Sequence, residues 1–199
     1  MPRPRQPDGP QRILDAAEQL AQTRGFNGFS YADVAERLGV TKANVHHYFP
    51  TKADLGRALI VRYHEVFGRA LAAIDLAAAN SGEKLRRYVE LYDGVIRRDR
   101  MCLCGMLAAE YETLPAPMQA ELRSFFDANE VWLSAVLAAG RESRALSFPE
   151  TPAERARLLV GALEGAMLVA RTYGDDARFR AAAQNALADV GVRPIRAAG

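Results

Sequence analysis

Apolar residues recur at three- and four-residue spacing along almost the whole 199-residue chain. That period belongs to helices laid against a core. Ile13, Leu14, Ala17, Leu20 and Ala21 form the first stripe, closed by Gly25. Tyr31, Val34, Ala35 and Leu38 form the second, opened by a Ser30/Asp33 capping box and stopped at Gly39. Thr41 opens a third segment, which Pro50 limits to Phe49. Thr51 and Asp54 open a fourth, whose stripe of Leu55, Leu59, Tyr63, Val66, Phe67 and Leu71 reaches about Ile74. The pattern predicts further helices over 83–99, 101–112, 116–143, 152–173 and 176–189, with breaks marked by Pro115, Pro117, Pro149 and Pro152. Thr151-Pro152-Ala153-Glu154 supplies an N-cap, a proline at the first helical position and an acid at the third. No segment reads convincingly as a strand. The expected fold is all-α, with about nine helices.

Two short helices joined by a glycine turn, Leu38-Gly39-Val40, are the mark of a helix-turn-helix. The expected organisation is a proline- and glycine-rich arm over 1–10, a three-helix helix-turn-helix domain over 11–58, and a C-terminal helical ligand-binding and dimerisation domain over 59–199. Nothing near the N-terminus resembles a signal peptide, and no run approaches the roughly 18 apolar residues of a membrane span. The two cysteines are too few for a disulfide framework. Together these features suggest a cytoplasmic protein that does not engage a membrane.

The segment VTKANVHHYFPTK, Val40 to Lys52, is the densest in chemistry. A metal site is a poor fit. His46 and His47 are adjacent and diverge by about 100° on a helix, while the third histidine, His64, lies in another helix. No catalytic motif, phosphate loop or cofactor motif accompanies the run, so no catalytic residue, metal or cofactor is expected. A core reading explains Val45 and Phe49, four residues apart, and leaves the polar set unexplained. Double-stranded DNA explains both. Lys42 can donate to guanine and Asn44 can pair with adenine in the major groove, while Ala43 permits close approach. Thr41, Tyr48 and Lys52 suit phosphate. Charge agrees mildly: residues 1–62 hold nine Lys/Arg against six Asp/Glu, and the remainder 17 against 18.

The stretch FSYADVAERLGVTKANVHHYFPTKADL, Phe29 to Leu55, resembles the DNA-binding segment of TetR-type (TetR/AcrR) transcriptional regulators. The likeness extends from Ile13 to about Leu59. It implies a homodimer that binds a palindromic operator and releases it when a small molecule enters the C-terminal domain. It also implies phosphate contacts from Ser30, Tyr31 and Lys52, and base proximity for Thr41, Lys42, Ala43 and Asn44. His47 and Tyr48 fit the second and third of three aromatic places. The first, usually tyrosine, is His46, which replaces a hydroxyl by an imidazole that can also donate. For Arg3, Arg5 and Arg12 a solvated tail is the plainer reading, and contact with backbone or minor groove the secondary one.

Farther along, MCLCGMLAAEYETLPAPMQAEL, Met101 to Leu122, resembles the helix-and-proline segment of one subgroup of these regulators. Tyr63, Phe67, Cys104, Tyr111, Phe125, Asn129, Trp132 and Met167 are candidates to line a pocket for a small, largely hydrophobic effector, though for each one alone a core place is the plainer reading. Cys102 and Cys104 are redox candidates, with Arg97, Arg98 and Arg100 near in sequence; two buried thiols are the plainer reading. Gly161, Ala162, Gly165, Ala166 and Ala170 form a small-residue face suited to dimerisation, with helix 116–143 as its expected partner. The expected function is a ligand-responsive regulator, a repressor ahead of an activator or a cysteine-based sensor. A small-molecule carrier or enzyme on a helical fold is a remote alternative.

Overall fold

The structure, a computed structural model, describes residues 9–192. Its described residues form nine α-helices and no strand. They are α1 (Gly9–Arg24), α2 (Tyr31–Leu38), α3 (Lys42–Tyr48), α4 (Lys52–Ala77), α5 (Ser81–Ile96), α6 (Leu103–Ala109), α7 (Ala116–Glu142), α8 (Pro152–Tyr173) and α9 (Asp176–Ala188). A 3-10 turn, Tyr111–Thr113, follows α6. Arg3 and Arg5 lie outside the described residues.

The chain divides into two compact units. One runs to Glu65 and adds Leu103–Phe125; the other takes Val66–Cys102 and the chain from Phe126. In the first, α2 starts where the Ser30 hydroxyl accepts from Asp33 N–H and the Asp33 carboxylate accepts from Ser30 N–H. It stops where Gly39, at φ 65°, hands its N–H to the carbonyls of Ala35 and Glu36. A side chain at Gly39 would meet nothing, so the left-handed backbone alone calls for glycine there. Thr41 caps α3 through Asn44 N–H. Val45 is fully buried and Phe49 nearly so. Each contributes about 1.5–3 kcal/mol by leaving water, and together they pin α3 from behind.

In the second unit α9 packs along α8. Phe179, Ala183 and Leu187 face the core from α9; Leu159, Leu163 and Met167 do so from α8. The Thr151/Glu154 box with Pro152 opens α8.

Several boundaries differ from the sequence reading. α1 begins two residues early, at Gly9. α4 continues to Ala77. Asn80 caps α5 through Glu83 N–H and so moves its start back to Ser81. The predicted helix 101–112 is shorter: Met101 and Cys102 precede α6, and its far end tightens into the 3-10 turn.

Candidate nucleic-acid interface and effector cluster

α3 presents Lys42, Ala43, Asn44, His46 and His47 to solvent. Thr41 is exposed at its N-terminus. Tyr48 is half-buried, its hydroxyl against Gly9 of α1, where a Cβ would lie 2.7 Å away. The His47 and Tyr48 rings meet edge-on at 5.1 Å. His46 Nδ1 lies 3.3 Å from the Pro50 carbonyl, and its ring packs on Tyr31 at 4.5 Å. A seven-residue helix with one buried anchor and an open polar side can be read by an external partner.

Two of the expected phosphate contacts, Tyr31 and Lys52, face elsewhere, while Ser30 stays exposed. Tyr31 is 5% exposed and its hydroxyl donates to the Phe49 carbonyl at 2.8 Å. Burial, with the Asp54 charge behind it, raises the phenol pKa to about 12. Tyr31 therefore ties the start of α2 to the end of α3. The Lys52 ammonium donates to the carbonyls of Phe26 and Phe29, each at 2.5 Å, and lies 4.5 Å from both ring centres. Partial burial lowers its pKa; the charges of Glu110 and Asp33 work the other way. The Ser30 hydroxyl is engaged with Asp33.

The turn gripped by Lys52 is held on its other side by Glu110, the residue after α6. Its carboxylate accepts from Phe26 N–H at 2.6 Å and Asn27 N–H at 3.1 Å. The Asn27 amide donates to the Thr113 hydroxyl at 2.8 Å. The α1–α2 turn is thus clamped between the start of α4 and the end of α6, all inside one unit. Nothing in the sequence around Glu110 marks this role, since its partners are backbone groups more than 80 residues away.

The second unit holds a buried polar cluster. Tyr88 and Tyr92 are one turn apart on α5, their hydroxyls 3.1 Å from each other. Tyr88 donates to Asn129 Oδ1 at 3.1 Å, and Asn129 is 1% exposed. Trp132 stacks on Tyr88 at 5.6 Å and donates Nε1–H to Asp75 at 2.9 Å. Phe67 meets both tyrosines edge-on, at 6.1 and 6.2 Å. From α8 comes Glu164. Its stem is half-buried, yet both carboxylate oxygens are shut from solvent without a well-formed hydrogen bond. Burial raises its pKa to about 7, with weak relief from the Cys102 thiol. Burial also pushes both phenols up, and the Glu164 charge adds to the rise.

Comparison with known proteins places this architecture. Residues 13–59 match the family model described as bacterial regulatory proteins, tetR family. The chain is 30% identical over 169 residues to the transcriptional regulator AcuR of Cereibacter sphaeroides, covering 81% of this chain and 75% of that one. It is 26% identical over 170 residues to the transcriptional repressor NemR of Escherichia coli K12, covering 82% and 84%. A TetR-family regulator from Agrobacterium tumefaciens superposes with a TM-score of 0.89 at 32% identity, covering 92% of this chain and 97% of that one. The chain belongs to the TetR family of transcriptional regulators. It is a DNA-binding regulator and not an enzyme. TetR-family regulators bind DNA operators, typically as dimers. No helix among the described residues is long and apolar enough to cross a membrane.

Within this TetR-family chain the expected pocket residues separate. Phe67, Asn129 and Trp132 meet around Tyr88. Met167 is fully buried and lies one turn from Glu164. Tyr63, Cys104, Tyr111 and Phe125 belong to the other unit. There Tyr63 and Phe125 pack ring to ring at 5.7 Å. The Tyr111 hydroxyl is engaged by Arg123 at the surface, so it is not free to meet a ligand. Cys102 and Cys104 are 1% and 0% exposed. Arg97, expected near them, pairs with Asp93 at 2.5 Å. Tyr88, Tyr92 and Glu164 escaped the sequence reading. The signal was present: tyrosines spaced by four, and one acid inside the apolar, small-residue run VGALEGAMLVA.

The small-residue face also needs correction. Gly161 and Ala162 are exposed, Gly165 and Ala166 half-exposed, and a Cβ at either glycine would meet nothing in this chain. Ala170, by contrast, is 2% exposed and points into its own core. Leu158, Leu168 and Val169, 43–52% exposed, extend the open stripe instead. Within the chain α8 packs along α9, and Arg157 of α8 also pairs with Glu130 of α7 at 3.2 Å.

Proposed function

We propose that this regulator is a ligand-responsive repressor. It binds a palindromic operator as a homodimer and leaves it when a small, largely apolar effector enters the unit that holds Tyr88 and Glu164. The carrying observation is the open polar side of α3, Lys42, Ala43, Asn44 and His47, backed by buried Val45 and Phe49. Lys42 and Asn44 read base edges; Thr41, His46 and Tyr48 meet phosphate. Tyr31 and Lys52 position α3 from inside.

The open stripe on α8 pairs with its equivalent in a second chain, with α9 completing a four-helix contact. That contact sets the separation of the two α3 helices, which must match half-sites one turn, about 34 Å, apart or a multiple of it. Effector binding acts on this separation. α4 starts beside α3 at Lys52 and continues into the second unit's sequence, and Glu110 passes any shift of α6 to the α1–α2 turn.

The test is anisotropy titration of an operator recovered from genomic fragments, across a salt series. A steep loss of affinity with salt, and equal and opposite effects of effector and operator on each other's binding, support the reading. Effector affinity identical with and without operator contradicts it.

A further inference from the structure

We propose that the cluster of Tyr88, Tyr92, Asn129 and Glu164 recognises an organic cation: a protonated amine on an apolar or aromatic body, paired with Glu164. The inference rests on the ligand-responsive reading above and names the class of its effector.

Counting protons leaves Glu164 without a phenolic donor. Tyr88 donates its one hydroxyl proton to Asn129 Oδ1. The Tyr92 proton then goes to the Tyr88 oxygen, 3.1 Å away. Both phenolic protons are thereby used inside the chain, and Glu164 receives neither. Its two oxygens stay shielded from water without a well-formed hydrogen bond. The Cys102 thiol eases it against the burial, and a thiol is a weak donor. A buried carboxylate left in this state destabilises the fold unless something supplies a donor or a positive charge.

The surroundings select the kind of charge. Trp132 stacks on Tyr88, Phe67 meets Tyr88 and Tyr92 edge-on, and the two tyrosine rings pack on each other, so the polar groups sit among aromatic rings. Aromatic faces attract soft organic cations within about 6 Å. A metal ion would demand several oxygen ligands, and the described residues hold no group of three or more His, Cys, Asp or Glu suited to one. The same unit also has a small cleft of about 120 Å³, partly open to solvent. Met101 and Met167 form its apolar floor, with Asp99, Arg100 and Arg171 also lining it. Met101 precedes Cys102 in the chain, and Met167 lies one turn beyond Glu164 on α8.

A cationic ligand also leaves a proton signature. With a pKa near 7, Glu164 is about half protonated at neutral pH. Pairing with an ammonium returns it to the ordinary carboxylate range and expels that fraction of a proton.

The test is calorimetric titration of the full-length protein at pH 7 with 2-naphthylmethylamine and its neutral isostere 2-naphthylmethanol. Each is run in two buffers of different ionisation enthalpy, on wild type and on Glu164→Gln. The expected result is at least tenfold tighter binding of the amine, with proton release, and loss of both in Glu164→Gln. Equal or weaker binding of the amine, no binding of either probe, or a preference that survives Glu164→Gln overturns the proposal. Operator anisotropy separates the two levels. If the alcohol alone displaces operator, the ligand-responsive reading stands and the cation assignment falls. If the amine binds as expected and operator affinity is unmoved, the site stands and the effector reading falls.

Discussion

The Tyr31 hydroxyl, 2.8 Å from the Phe49 carbonyl, is a structural bolt at a place where a surface contact is the natural expectation. Tyr31→Phe should lower unfolding free energy by about 1 kcal/mol, the usual worth of such a bond. It should leave the salt slope of DNA binding unchanged in anisotropy titrations. A true phosphate contact would instead reduce that slope by about one. The sequence marks Tyr31 as the first residue of α2 and cannot reveal its partner 18 residues on, because the end of α3 must fold back first. Lys52 is similar: its position at a helix start was legible, whereas its two carbonyl partners depend on the closed Phe26–Phe29 turn. Glu164 makes a pH prediction. Its folded pKa, about 7, lies above the ordinary 4.5, so the native state holds the extra proton between those values. Wild-type stability should therefore fall, relative to Glu164→Gln, as pH rises from about 4.5 to 7, and level off above. Urea unfolding of both proteins at pH 5 and pH 8 measures this; parallel profiles would refute it.

Helices α2, α3 and α8 were readable almost to the residue because their ends carry local chemistry: Ser30/Asp33, Gly39, Thr41 before Pro50, and Thr151/Glu154. The segment around α6 was not, since its start and its 3-10 end answer to tertiary contacts such as Glu110 on the α1–α2 turn. That clamp is testable as an element. Glu110→Gln should speed amide exchange at Phe26 and Asn27 and weaken operator binding, although Glu110 lies outside the proposed DNA face. Unchanged exchange at both amides would remove the clamp from the account. Gly39→Ala should cost about 1 kcal/mol in urea unfolding through backbone strain alone, because no neighbour meets the added methyl.

Across the whole molecule, the sequence revealed the helix-turn-helix and the all-α class and left the pairing surface half-drawn. The small residues of α8 were visible; that Ala170 turns inward while Leu158 and Val169 turn outward follows only from the packing on α9. Gly165→Leu places a large side chain on an open face. It should preserve helicity by circular dichroism and shift sedimentation toward the monomer, whereas an unchanged dimer would place the interface elsewhere. The central claim remains that α3 reads DNA with its open side. Its most direct measurement is the ratio of operator to scrambled-duplex affinity at fixed salt for wild type, Lys42→Ala and Asn44→Ala. Each substitution should cost about 1–3 kcal/mol on operator and collapse the ratio. Ratios equal to wild type in both variants would contradict it.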